Sequence, residues 1–89
     1  MNRPIMTMED VDKSLDVLRT ALLKRLDKKG YGSFASTHEI YGVMMEEVGE
    51  VEDEMRANDE IAFADELIDV AVTTVFGHAC LKTHSLDKR

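Results

Sequence analysis

At 89 residues the chain has room for one domain, spanning 1–89, and for only a small core. It carries 18 acidic against 11 basic residues, a formal net charge of −7, and no basic stripe able to neutralise phosphates, which argues against DNA, RNA or anionic-membrane partners. The single cysteine, Cys80, excludes an intramolecular disulfide and fits a reducing cytoplasm, and neither a signal peptide nor a membrane-spanning apolar run is visible.

The pattern is all-α. Residues 1–6 and 84–89 read as loose ends. A first helix starts near Thr7, whose spacing to Asp10 resembles a capping box. Val11, Leu15, Leu18, Leu22 and Leu26 give it one apolar stripe. Lys28, Lys29 and then Gly30 are C-terminal signals: cations at the negative end of the helix dipole, followed by a glycine free to turn left-handed. Residues 30–35 form a loop. Ser36 with Glu39 then caps a second helix. Its expected apolar face is Ile40, Met44, Val48, Val51 and Met55, with Glu47, Glu50 and Glu54 on the adjoining stripe. A third helix runs from about Glu60 into the low 80s. Ile61, Ala64, Ile68, Ala71, Val72, Val75 and Ala79 form one apolar face; Phe63, Leu67, Val70 and Leu81 form another. Glu66, Asp69, Thr73 and Cys80 occupy a third sector. A helix apolar on two sides needs partners on two sides, so a homodimer or homotetramer is expected.

The acidic residues carry the functional signal. Glu47 with Glu50, and Glu66 with Asp69, are each spaced i, i+3, on one face of a helix. Glu47 and Asp69 are symmetric about position 58, and so are Glu50 and Glu66. An antiparallel hairpin turning there brings all four carboxylates to one height, roughly 12–17 Å from the turn. Such a nest repels itself unless a cation fills it. Mg²⁺, with Mn²⁺ as a substitute, suits an all-oxygen donor set and is used to hold phosphates.

The residues Glu46-Glu47-x-x-Glu50 and Glu66-x-x-Asp69, on two helices of an all-α chain, resemble the MazG-like nucleoside triphosphate pyrophosphohydrolases over roughly residues 7–82. The resemblance implies a three-helix chain with a central helix hairpin that forms a helical bundle on oligomerisation. It implies hydrolysis of nucleoside triphosphates between the α- and β-phosphates, giving a monophosphate and pyrophosphate, in nucleotide-pool control or house-cleaning. By motif position it assigns Glu47, Glu50, Glu66 and Asp69 to Mg²⁺, with Glu46 pointing away from the seam. Glu50 or Glu54 is the candidate general base. No base-recognition residue follows from the motif. Tyr31 and Phe34 either stack on a nucleobase or anchor their loop, and Lys82, Lys28 and Lys29 either meet phosphates or stay solvated.

Several residues have plainer readings. His38 and His78 are expected to pack or cap, and neither has a second histidine at metal-ligand spacing. Cys80 is expected to be a small buried residue, and the methionines to fill core gaps. Gly49, inside the acidic cluster, either permits close approach or is simply exposed. The alternative to an enzyme is a non-catalytic helical interaction module presenting an acidic surface.

Overall fold

In a computed structural model, residues 2–83 are described, and the expected tail 84–89 lies outside them. Three helices follow in order: α1 (Met8–Lys29), α2 (Thr37–Arg56) and α3 (Glu60–Thr83). The described residues contain no strand.

Each helix begins where its capping residue dictates. The Thr7 hydroxyl accepts from Asp10 N at 3.1 Å, while Thr7 N donates to the Asp10 carboxylate at 3.0 Å. The Thr7 hydroxyl also donates to the Asp10 carboxylate at 2.8 Å, and this bond, then the one from Thr7 N, holds the Asp10 carboxyl below its ordinary pKa. Ser36 Oγ accepts from Glu39 N at 3.1 Å, and the Glu39 carboxylate reaches back to Ala35 N at 2.8 Å. α1 ends at Gly30, whose φ of +82° with ψ of −175° is a positive-φ conformation that glycine adopts without a Cβ penalty. The hairpin turns at the expected point. Asn58 has φ +55°, a value asparagine tolerates better than most residues, and Asp59 Oδ1 caps α3 by accepting from Ala62 N at 3.0 Å.

α3 is the central element. α2 packs antiparallel to it through the hairpin. α1 lies on it in the parallel sense, since Asp16 shares a groove with Asp65 while Arg25 stacks on Phe76 further along. α1 and α2 form no helix–helix contact with each other among the described residues.

This arrangement corrects the expected faces. The most buried positions of α3 are Val72, Thr73, Gly77 and Cys80, so the sector holding Thr73 and Cys80 faces inward. The reason is its central place: the strip between its two partners takes small and hydroxyl side chains, and Thr73 is only 6 % exposed. Gly77 allows the closest approach, because a Cβ there would sit 2.8 Å from Ile40 Cγ2. On α2 the half-buried ladder is Ile40, Val43, Met44, Glu47, Val51 and Glu54. Val48 and Met55, expected inside, are exposed and continue a stripe with Tyr41 and Met45. On α1, Leu18, Leu22 and Leu26 turn inward as expected, whereas Val11 and Leu15 are exposed. Helix α3 supplies no cover that far toward the start of α1. His38 and His78 are exposed rather than packed.

The chain leaves much apolar surface open. Its accessible area is 7160 Å², whereas a compact protein of this mass exposes about 5,200 Å². Its radius of gyration is 15.0 Å, against about 12 Å for a compact chain of this length. No helix of the described residues is long and apolar enough to cross a membrane.

Candidate metal centre

Glu47 comes from the inward ladder of α2. Glu66 and Asp69 come from successive turns of α3 that face it across the hairpin. One carboxylate oxygen from each of these three residues lies within 4.8 Å of the others. The i, i+3 spacing on α3 and the register set by the Asn58 turn are what superimpose them. Glu47 and Glu66 are half-buried, and Asp69 is exposed, so the cluster has a dry side and an open side.

The electrostatics follow from that placement. Burial, and then the neighbouring Glu50, push the Glu66 carboxyl up to about 7; Asp69 and Glu47 add to the effect. Burial likewise raises Glu47, with Glu50 and Asp69 contributing through their charge, while Lys29 opposes the shift. Glu66 Oε2 is shielded from solvent and has no hydrogen-bond partner among the described residues. A buried, partnerless carboxylate oxygen is costly unless a proton or cation satisfies it. The donor set, all carboxylate oxygen, matches what Mg²⁺ and Mn²⁺ accept.

The other expected site residues are distributed differently. Glu50 stands beside Glu47 and Glu66, close enough to perturb both, but outside the three-oxygen cluster. Glu54 lines a separate hollow at the hairpin end with Met55, Asn58, Asp59, Glu60 and Phe63. Glu46 is exposed. Phe34 is buried, edge-on to Phe76 with ring centroids 5.5 Å apart, so its face is committed to the core and not free to stack on a base. Tyr31 is 77 % exposed and lines the rim of a hollow with Leu23, Lys24, Leu26 and Asp27. Lys82 is exposed, and its position thirteen residues beyond Asp69 puts it about 20 Å further along the helix axis. Gly42 and Gly49 face open space within the chain.

The sequence reading overlooked Lys24 and Arg25. Together with Lys28 and Lys29 they line one groove with Glu47, Asp69 and Thr73. The available signal was four cations within six residues of an otherwise acidic chain. Compared with protein-family models, curated proteins and solved structures, the chain matches none.

Proposed function

We propose that the protein is a Mg²⁺-dependent nucleoside triphosphate pyrophosphohydrolase, cleaving between the α- and β-phosphates. The observation that carries this reading is the convergence of Glu47, Glu66 and Asp69 oxygens within 4.8 Å, one of the three carboxylates having a buried oxygen without a partner. Glu47, Glu66 and Asp69 hold the cation, with Mn²⁺ as a substitute. When bound, the cation neutralises charge growing on the phosphoryl oxygens and lowers the pKa of a coordinated water. Glu50, exposed beside Glu47 and Glu66, is the carboxylate set to accept the proton of the attacking water. Glu54 lines the separate hollow at the hairpin end and takes no part in this step.

The assembly we propose is a homodimer. An excess of about 1,900 Å² per chain is more than the roughly 800 Å² per partner of a standard interface, and about 3,800 Å² for two chains lies in the range that obligate homodimers bury. The exposed α2 stripe of Tyr41, Met45, Val48 and Met55 supplies an apolar face for it. That same surface favours the second reading, a non-catalytic interaction module.

Product analysis separates the two. Incubation with a panel of ribo- and deoxyribonucleoside triphosphates in Mg²⁺ is expected to give monophosphate plus pyrophosphate, lost in Glu50→Gln. Diphosphate plus phosphate would refute α–β cleavage, and a complete lack of turnover would favour the interaction module.

A further inference from the structure

α1 contributes a wall of cations to the acidic site. Lys24, Arg25, Lys28 and Lys29 line a groove of about 350 Å³ whose other side is Glu47, Asp69, Val72 and Thr73. That volume lies in the range of small-ligand sites. The ion pairs of the described residues join Lys13 to Glu9 and Arg56 to Glu52, leaving the four groove cations without a salt bridge. Arg25 is half-buried. Its guanidinium carbon lies 3.8 Å from the Phe76 ring centroid and 5.7 Å from that of Phe34. Its Nη1 is out of solvent and has no hydrogen-bond partner among the described residues. A guanidinium held by rings and left with an unmade bond has been oriented without being satisfied, and planar anions are its natural complement.

Charge balance gives this wall a purpose. Glu47, Glu66 and Asp69 ionised carry −3, and one divalent cation brings the cluster only to −1. In a chain of net charge −7, a polyphosphate would still be repelled there. With Glu50 beside them counted as well, the four α1 cations turn the local balance to +2.

We propose that this groove receives a linear polyphosphate chain, esterified or free, with Lys24, Lys28, Lys29 and Arg25 binding the phosphates that extend beyond the cation. The proposal rests on the reading of Glu47, Glu66 and Asp69 as a metal centre, and it makes α1 a specificity element rather than a packing helix alone. Charged groups grip phosphate oxygens through short, charge-assisted hydrogen bonds, so the selectivity is for phosphate number and charge.

Calorimetry on the full chain with inorganic tripolyphosphate and Mn²⁺ tests this. Lys24→Gln/Lys28→Gln/Lys29→Gln should weaken tripolyphosphate by roughly tenfold or more, the loss of several charge-assisted contacts, while Mn²⁺ affinity is retained or rises, since the Lys29 charge opposes a cation beside Glu47. The corresponding triple Arg variant should restore binding, and Lys13→Gln, outside the groove, should bind like wild type. Circular dichroism checks the fold, and the separate Arg25→Lys variant tests the guanidinium without removing its charge. Displacement of tripolyphosphate by an α,β-methylene nucleoside triphosphate would identify the esterified chain as the ligand; tripolyphosphate binding without such displacement would identify the free one. Wild type that fails to bind tripolyphosphate, or a triple Gln variant that binds it equally well, overturns the groove. Tripolyphosphate binding that depends on these lysines in a protein that takes up no Mn²⁺ would uphold the groove and remove the metal centre beneath it.

Discussion

Replacing Glu66 by Gln removes a carboxylate that the metal-free fold holds at a cost. Its pKa rises from the ordinary 4.5 to about 7, chiefly because it is buried and then because Glu50 lies beside it. The native state therefore keeps a proton, between those two values, that the unfolded chain has already released. Its contribution is fully present below pH 4.5 and is lost as pH rises through 7. At about 1.4 kcal/mol per unit the difference corresponds to an upper limit of about 3.5 kcal/mol. Glu66 is only half-buried, and solvent screening on the open side reduces this to about 1–2 kcal/mol. Glu66→Gln mimics the protonated form. In EDTA at pH 8 it should unfold at higher urea than wild type, and at pH 4 the two should converge. With saturating Mn²⁺ the order should invert, because wild type gains the binding energy and the variant does not. A variant less stable than wild type in EDTA at pH 8 would show that Glu66 makes a structural bond, and would sink the strained-site argument.

Other expectations concern the same assembly. Cation binding must displace the proton held on Glu66, so apparent Mn²⁺ affinity should fall as pH drops from 8 to 5.5, with proton release visible as buffer-dependent heat. A pH-independent affinity would contradict that coupling. Gly77→Ala forces a Cβ to 2.8 Å from Ile40 Cγ2, a stiff branched position, and overpacking of about 1–3 kcal/mol should outweigh the ~1 kcal/mol gain in helix propensity. In an Ile40→Ala background the same change should become neutral or stabilising, and urea titrations of the four proteins decide it. Sedimentation equilibrium should find twice the 10.0 kDa chain mass, reverting to one chain mass in Tyr41→Glu/Met45→Glu. A monomeric wild type at micromolar concentration would refute the dimer.

Local signals in the sequence reached far. Thr7, Ser36 and Gly30 locate helix ends because capping is decided by the residues within one turn. The turn at Asn58 and the i, i+3 spacing together locate Glu47, Glu66 and Asp69 opposite one another. What was not legible depended on where a third helix lies. Helical periodicity identifies Val48 and Met55 as apolar but does not say which neighbour covers them, and within the chain none does. Thr73 read as part of a polar sector, yet it joins Cys80, buried as expected, in the inward strip because α3 is gripped from both sides. Lys24 and Arg25 carry no local signal of a site, because only α1 lying parallel to α3 brings them into one groove with Glu47 and Asp69. Phe34 offered a ring in a loop, and only its contact with Phe76 and Arg25 assigns it to the core.

A divalent cation held by three carboxylates is the centre of the proposed chemistry, and Mn²⁺ binding followed by electron paramagnetic resonance tests for it most directly. Wild type, with and without an α,β-methylene nucleoside triphosphate, should take up Mn²⁺ saturably, and Asp69→Asn should lose that uptake while retaining its helical circular dichroism. Wild type that leaves Mn²⁺ free in both conditions would contradict the metal centre and, with it, the proposed hydrolase.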